Sequence, residues 1–311
     1  MREFDLLQAI FAANARLPGR VTIPPGDDMG AVRLSGGGEV LVTVDQVADG
    51  VHFDLATSTL GRVGRKAITR NLSDVAAMAA RPVAAVAAAC LPRNFGAPRA
   101  RELCEALRST AAAYDCPLIG GDISIWDQRL IISVTILAEA WPGLPPLRRG
   151  TAHAGDVVFV SGELGGSLPS GRHLDFEPRL ELARQLAANP GTRPSAMIDL
   201  SDGLARDLGH ICELSGLHAQ VEARMLPIAA AVRGPAHKRE PWRHALGDGE
   251  DYELCFTIPP ERAAQVPAEM AGVRLSRVGV MRPPEAGPLV GVKLDNGTVV
   301  DCGQSGWEHQ G

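Results

Sequence analysis

Short apolar runs that end in aspartate recur along this 311-residue chain, and they limit how it can fold. In nearly every case Gly, Ser or a second Asp stands beside the acid. The segments are PPGDDMG (24–30), VLVTVDQ (40–46), NLSDVAAM (71–78), CPLIGGD (116–122) and AMIDLSDGLARDLGHI (196–211). Acids at strand ends and tight turns lie where loops gather. If several converge, two unit charges about 4 Å apart repel by roughly 4 kcal/mol at an effective dielectric near 20. The pattern therefore predicts a cation site, with Mg²⁺ serving phosphate groups.

Each acidic segment taken alone also has a simpler explanation. Residues 27–28 could form only a turn, since Asp and Gly are turn residues. Asp199, Ser201 and Asp202 could cap the helix that follows them, and we expect capping to be part of their role. A cap needs one oxygen, however, and this segment supplies three such side chains at a helix N-terminus that favours bound phosphate. It is the recurrence over five segments that favours metal binding.

Composition excludes several classes of protein. With 45% hydrophobic and 22% charged residues the chain is typical of globular proteins. Its net charge of −5 gives no electrostatic case for nucleic acid or an anionic membrane. Six scattered cysteines without a CxxC pair indicate reduced thiols and a cytoplasmic location. Charged residues near the N-terminus argue against a signal peptide, and no apolar stretch approaches the ~20 residues of a membrane span.

The order of expected elements favours an α+β fold. Strands and helices mix without strict βαβ alternation, which argues against a doubly wound parallel sheet. Helices are expected near the N-terminus, with Phe4, Leu7, Phe11 and Ala15 at helical spacing, and over 57–80, with a break near 71–74 where Ser73 or Asp74 could cap. Residues 17–30 are predicted to form a loop. The Pro/Gly-rich segment 141–156 predicts two domains, 1–147 and 148–311.

Common catalytic motifs are missing. The chain has no GxxxxGK[ST], no GxGxxG opening a helix after a strand, no HExxH and no GxSxG. Three other positions could have either a functional or a purely structural role. His52 follows the Asp45 strand and could face the same cleft; Arg149, in the pair 148–149, could clamp a phosphate; Glu250 could contact a substrate or simply belong to a charged loop.

Taken together, the motifs resemble the thiamine-monophosphate kinase family of the aminoimidazole-ribonucleotide-synthetase-like superfamily. The resemblance spans almost the whole chain. It rests on GDD (26–28), VADGVHF (47–53), NLSDVAAM (71–78), LIGGD (118–122), Arg149 followed by GTAHAGD, MIDLSDGLARDLGHI (197–211), GEDYELCF (249–256) and GWEH (306–309). It implies two mixed α/β domains, the first binding metal and ATP and forming a homodimer, the second completing the cleft.

The resemblance also implies an activity and a set of site residues. The activity is ATP-dependent phosphorylation of thiamine phosphate to thiamine diphosphate, with several Mg²⁺ ions. The implied metal ligands are Asp28, Thr43, the backbone carbonyl of Val44, Asp45, Asp74, Asp122, Asp199 and Asp202, and the catalytic core is Asp45, Asp122 and Asp202. The implied ATP contacts are Tyr114, Gly121, Asp122, Arg149 and Ser201. The implied thiamine phosphate contacts are His52, Glu250 and Trp307, the last an aromatic face for a cationic thiazolium.

Some residues depart from the family pattern, and alternatives remain. Val44 and Ile123 stand where the family commonly has Thr, and Asp248 is added to the second Gly-rich turn. One alternative is a related ATP-dependent enzyme with another small-molecule substrate. A selenophosphate synthetase would want a reactive Cys near the N-terminus, whereas the first here is Cys90, and a hydrogenase-maturation dehydratase would end in Cys. The other alternative is a catalytically silent nucleotide-binding protein.

Overall fold

The computed structural model describes residues 16–233, 238–284, 287–303 and 305–306. All described strands up to Ala140 belong to one sheet, and all from Val157 onward belong to a second. Each sheet carries helices, and neither is a doubly wound parallel sheet, so the α+β prediction is confirmed. The helix expected around Phe4, Leu7, Phe11 and Ala15 lies outside the described residues.

The first sheet has six strands in the order β1-β2-β3-β6-β4-β5. Its strands are β1 (Val21–Ile23), β2 (Gly30–Arg33), β3 (Glu39–Ala48), β4 (Ala80–Pro92), β5 (Leu118–Trp126) and β6 (Ile131–Ala140). Only the β4–β5 pair is parallel. Strand β1 falls inside the segment predicted to be a loop, so that prediction was wrong for these residues; the β1 backbone pairs with β2 and so adds a strand to the sheet. The inner face packs against α1 (Leu60–Ala77) and α2 (Ala97–Ala113).

Helix α1 runs without interruption through the acidic segment. It begins after Thr59, whose hydroxyl oxygen accepts a hydrogen bond from the Arg62 amide. Ser73 and Asp74 lie within its last turns, so the predicted break was wrong and neither residue caps a helix. Burial of one complete helical face, including Leu72 and Val75, outweighs the weak local preference of Ser and Asp for helix ends.

The second sheet places β8 at one edge and β14 at the other. Its path is β14-β13-β9-β12-β7-β10-β8, with β11 paired to β12. The strands are β7 (Val157–Ser161), β8 (Ala196–Asp199), β9 (His218–Glu222), β10 (Leu254–Ile258), β11 (Glu269–Met270), β12 (Val273–Arg282), β13 (Val290–Lys293) and β14 (Val299–Asp301). The helices are α3 (Ser167–Ser170), α4 (Leu180–Ala188), α5 (Leu204–Ser215) and α6 (Pro241–Gly247).

Apolar contacts join the two halves around the end of α1. Ala76 and Ala77 pack in one cluster with Leu186 of α4 and with Phe159 and Phe256 of the second sheet. Ser73 and Asp74, which lie three and two positions before Ala76 on α1, are thereby held against the end of β8. Within the described ranges, no helix is both long and apolar enough to cross a bilayer.

Candidate functional site

Three aspartates that are far apart in the sequence meet where the two sheets join. Asp28 lies in the loop before β2, Asp74 on α1, and Asp199 at the last position of β8. Each contributes a carboxylate oxygen, and these oxygens all lie within 4.8 Å of one another. The predicted convergence is therefore confirmed for these three residues. Both halves of the chain are needed to assemble this carboxylate cluster.

Neighbouring hydroxyls hold two of the carboxylates in place. Thr43, on β3, donates a hydrogen bond from Oγ1 to Asp74 Oδ2. Ser73 donates from Oγ to Asp199 Oδ2 at 2.7 Å. Ser73 and Asp74 are adjacent on α1. One helical turn therefore supplies Asp74, an acid of the cluster, and the hydroxyl that hydrogen-bonds to Asp199, a second acid of the cluster.

The cluster is electrostatically strained without a cation. Burial raises the pKa of Asp74 well above its usual value, and the charges of Asp45, Asp199 and Asp28 raise it further. Burial and the charge of Asp28 likewise raise the pKa of Asp199 to about 7, although Ser73 and Arg149 oppose the rise. Burial also raises the pKa of Asp45. Such buried oxygens suit a hard cation, for which carboxylates are preferred ligands.

Arg149 provides the nearest positive charge to the cluster. Its guanidinium binds Asp28 in a bidentate manner, with Nη2 2.7 Å from Oδ1 and Nε 3.1 Å from Oδ2. Its backbone amide donates to Asp27 Oδ1 at 2.7 Å, and the Arg148 side chain also binds Asp27. Asp27 and Asp28, in the loop before β2, therefore hold the side chains of Arg148 and Arg149, at the predicted domain boundary, in position.

Asp45 connects the carboxylate cluster to a second group of polar residues, which contains Arg70, Glu250 and Lys66. It lies two residues after Thr43 on the same face of β3, and its Oδ2 accepts a hydrogen bond from Arg70 Nε at 2.9 Å. Arg70 Nη1 also lies 4.0 Å from Glu250 Oε1. Glu250 in turn binds Lys66. The predicted metal ligand and the predicted substrate contact are thus connected by a single arginine.

Lys66 is completely buried on α1, which is rare for a lysine. Its ammonium donates to the His52 carbonyl oxygen at 2.6 Å, to Glu250 Oε2, and to His173 Nδ1 at 2.7 Å. Burial lowers the pKa of Lys66 to about 8, although the charge of Glu250 opposes this. Burial alone would raise the pKa of Glu250, but His173, Lys66 and Arg70 outweigh it and lower the value to about 2. A buried ion pair therefore crosses between the two halves.

His52 and His173 line one side of a cavity of about 650 Å³. His52 Nδ1 accepts a hydrogen bond from the Ala48 amide at 3.1 Å. His173 Nδ1 must likewise accept, because an ammonium such as that of Lys66 only donates. The segment 168–174 supplies much of the remaining wall.

Asp202 lies in a neighbouring group with Asp207 and His210, whose ligand atoms also lie within 4.8 Å of one another. The expected capping by Asp199, Ser201 and Asp202 was wrong. Helix α5 follows Gly203 with no side-chain cap from that position, and Asp207 Oδ2 instead accepts from the amides of Asp202 and Gly203 at 3.1 Å. Gly203 has φ 111°, and an added Cβ would lie 2.8 Å from Leu246 O, which explains the glycine.

The structure does not bring Asp122 into the cluster within one chain. Asp45, Val134, Ala87 and Gly121 pair across adjacent strands, so the next residue, Asp122, projects from the opposite face of the sheet. Gly121 has a structural reason for lacking a side chain, because an added Cβ would lie 1.9 Å from Ala87 O. The metal, catalytic and ATP roles of these positions stay predictions.

Four further predicted residues have separate surroundings. The Val44 side chain is exposed on the outer face, so only its backbone could join the metal site. Tyr114 donates from its hydroxyl to Glu177 Oε1 at 2.7 Å. Ser201 accepts from the Glu250 amide at 2.7 Å through its backbone oxygen. Trp307 lies outside the described residues.

The sequence reading missed Lys66 and Arg70, although a signal was present. Positions 66, 70 and 73–74 follow helical spacing, which places these polar residues on one face of α1. His173 carried no such signal, and Tyr252 lies within the motif GEDYELCF but at no spacing that marked it as a site residue. Their positions depend on contacts over more than 70 residues of sequence, from His173 to Lys66 and from Tyr252 to Phe176.

Comparison with known proteins identifies the family. Residues 26–140 match the family described as AIR synthase related protein, N-terminal domain. A thiamine-monophosphate kinase from Rhodopirellula baltica is 43% identical over 237 residues, covering 76% of this chain and 73% of that protein. The chain belongs to the thiamine-monophosphate kinase family.

Other family members match over still more of the chain. The Haemophilus influenzae thiamine-monophosphate kinase is 34% identical over 280 residues, covering 84% of this chain and 83% of that protein. A solved structure described as AaThiL complexed with AMPPCP and TMP superposes with a TM-score of 0.76 at 28% identity, covering 99% of this chain and 97% of that one. The family resemblance found in the sequence is thus confirmed.

Proposed function

We propose that this chain transfers the γ-phosphoryl group of ATP to thiamine phosphate, giving thiamine diphosphate. The observation that carries the proposal is the carboxylate cluster of Asp28, Asp74 and Asp199 at the junction of the two sheets. The names of the relatives and the two ligands named for the AaThiL structure support the choice of substrates. The absence of a P-loop motif from the sequence is compatible with phosphate binding through metal and arginine.

The donor set of the cluster fits Mg²⁺. It consists of carboxylate oxygens whose buried negative charges lack full neutralisation in the protein alone. We propose that Asp28, Asp74 and Asp199 hold the metal, with Thr43 and Asp45 beside them and with Val44, Asp122 and Asp202 as further predicted ligands. Bound Mg²⁺ would neutralise the cluster and the phosphate groups that meet there.

The chain's own cations and acids position the two reactants. Arg149 presents two N–H groups in a fork that matches a phosphate as well as a carboxylate. A phosphate of a bound nucleotide can therefore replace Asp28 as the hydrogen-bond partner of the guanidinium. Glu250, held by Lys66, provides a fixed negative charge for the cationic acceptor. The acceptor oxygen belongs to a phosphate ionised near pH 7, so transfer needs no general base. We therefore propose direct in-line transfer; trapping of a phosphorylated residue during turnover would contradict it.

We further propose that two copies of the chain associate through the first sheet. Strand β5 is an edge strand on which Ile119, Ile123 and Ile125 are 65%, 55% and 64% exposed. On the outer face of the same sheet, Val86 of the adjacent strand β4 and Val44 of β3 are also exposed. Long apolar edge strands invite pairing and are normally covered. A second copy would cover this surface and place its own chain near Asp122.

The domain division and location also remain proposals. We place the boundary between residues 147 and 148, because the first sheet ends at Ala140 and the second begins at Val157. The free thiols of all six cysteines are compatible with the proposed cytoplasmic location.

One assay tests the function. The protein is incubated with ATP, Mg²⁺ and thiamine phosphate, and thiamine diphosphate is measured by chromatography. We expect product with the wild type and at least a hundredfold loss with Asp74→Asn. Asp156→Asn is the matched control, since this aspartate is buried away from the cluster and accepts from Ser195. Nucleotide binding without product would favour a silent nucleotide-binding protein, and product only from another acceptor would favour a related enzyme.

A further inference from the structure

The hydroxyl of Tyr252 is buried and has no hydrogen-bond partner within the residues that the structure describes. The residue is 1% exposed and lies just before β10. Among the described residues, no group lies in hydrogen-bonding position to its hydroxyl. A buried polar group in this state weakens the folded protein, so it calls for a physical explanation.

The backbone around Tyr252 is held in an unfavourable conformation. Glu250 and Tyr252 have φ values of 58° and 51°, in the left-handed region that residues other than glycine rarely adopt. The Glu250 amide donates to Ser201 O at 2.7 Å and the Tyr252 amide to Leu200 O at 2.8 Å, which fixes the turn. The Tyr252 ring stacks on Phe176 with centroids 4.1 Å apart. Strain of this kind clusters at ligand-binding sites, where it fixes side-chain direction.

The charged residues of the cleft are close enough to the Tyr252 phenol to act on it electrostatically. Burial raises the pKa of Tyr252 well above its usual value; Arg70 opposes the rise, whereas Glu250, Asp45 and Asp199 add to it. The raised pKa keeps the hydroxyl protonated, and so able to donate, near neutral pH. Thr43 and Ser73 differ from it, because their hydroxyls already donate to carboxylates of the cluster.

We propose that the Tyr252 hydroxyl donates a hydrogen bond to a phosphate oxygen of the phosphorylated acceptor. This inference rests on the proposed function, in which the acceptor is a phosphate ester. Tyr252 shares its strained turn with Glu250, the predicted contact for the same molecule. The hydroxyl is a neutral donor with no partner in the described part of the chain, and the nearby carboxylates would repel an anion, so it offers the acceptor phosphate a contact that the acids cannot give.

Removing only the hydroxyl tests the proposal. Tyr252→Phe keeps the ring and its stacking on Phe176. Wild type and variant, both with Mg²⁺ and AMPPCP, are titrated calorimetrically with thiamine phosphate and, separately, with unphosphorylated thiamine. A hydrogen bond to a charged oxygen predicts roughly ten- to hundredfold weaker binding of thiamine phosphate and unchanged binding of thiamine. The melting temperature without ligands should be unchanged or higher, because the variant loses an unsatisfied hydroxyl.

Ser276→Ala is the matched control. It removes another buried hydroxyl for which no partner lies among the described residues, on β12 away from the cluster. Both ligands should bind this variant as they bind the wild type.

Three results would overturn the inference. They are equal affinity of Tyr252→Phe for thiamine phosphate, an equal loss for thiamine, and a lower melting temperature that reveals a protein partner for the hydroxyl. Failure of the wild type to form thiamine diphosphate would instead refute the proposed function, and the titrations would still show whether the hydroxyl recognises the phosphate.

Discussion

Neutralising Asp199 should stabilise the metal-free protein while removing its response to Mg²⁺. Asp199→Asn keeps the shape of the side chain and an oxygen that can accept the hydrogen bond from Ser73. It removes one of three charges whose oxygens lie within 4.8 Å, where each like-charged pair costs about 3 kcal/mol at an effective dielectric near 20. The substitution should therefore relieve repulsion that only a bound cation would otherwise relieve.

The pH dependence gives a second measure of the same effect. The pKa of Asp199 rises from 3.8 to about 7 on folding, so between these values the folded state holds a proton that the unfolded state has lost. Stability of the metal-free wild type consequently falls as pH rises through this window. At about 1.36 kcal/mol per pH unit, the full cost above pH 7 is about 4 kcal/mol. The Asp199→Asn variant has no such carboxylate to ionise. Its free energy of unfolding in the absence of metal should therefore exceed that of the wild type only slightly near pH 4 and most near pH 8.

Thermal unfolding in EDTA and in Mg²⁺ measures both quantities. At pH 8 in EDTA the variant should melt roughly 5–10 °C above the wild type. Mg²⁺ at a hundred times its dissociation constant should stabilise the wild type by about 2.7 kcal/mol and the variant far less. Asp156→Asn, outside the cluster, should keep the Mg²⁺ response. A variant less stable than the wild type at pH 8 in EDTA would refute the electrostatic reasoning.

Three further substitutions test other parts of the site. Arg149→Lys loses the bidentate fork now directed at Asp28 and should raise KM for ATP about tenfold, with little change in KM for thiamine phosphate, in steady-state assays. Lys66→Met leaves Glu250 buried without its cation and should lower the free energy of unfolding by about 3–5 kcal/mol in denaturant titrations. Ile123→Asp charges the exposed edge of β5 and should yield monomers in sedimentation velocity.

Each of these three has a control and a contradicting outcome. An equal rise of both KM values with Arg149→Lys would show that the arginine is not specific for ATP. A double variant of Lys66→Met with Glu250→Gln should recover part of the lost stability, and additive losses would show that the two residues do not interact. Arg108→Ala alters an exposed pair on α2 and should leave association intact; a wild type that sediments as a monomer would end the homodimer proposal.

Much of the fold could be read from local pattern. Local pattern predicted a helix over most of α1, and the mixed order of strands and helices predicted an α+β fold rather than a doubly wound parallel sheet. The acidic segments themselves were also visible in the sequence, because Asp beside Gly or Ser after an apolar run needs no tertiary information to be recognised. The family followed from the same motifs.

Which aspartates meet was decided by tertiary structure. Asp28, Asp74 and Asp199 converge because α1 packs between the two sheets, whereas Asp122 projects from the opposite face of the first sheet. Local pattern could not distinguish them, since all four stand in similar sequence surroundings. The same holds for Ser73 and Asp74, whose preference for a helix end was overridden by burial of the helical face.

The sequence alone determined the fold class, the acidic character of the site and the family, because these depend on residue type and on spacing over a few positions. Only the tertiary structure decided that Lys66 is buried against Glu250, that Arg149 holds Asp28, and that the Tyr252 hydroxyl has no partner in the part of the chain that the structure describes. Those features depend on solvent exclusion and on contacts between distant segments. Local sequence carries no direct information about either.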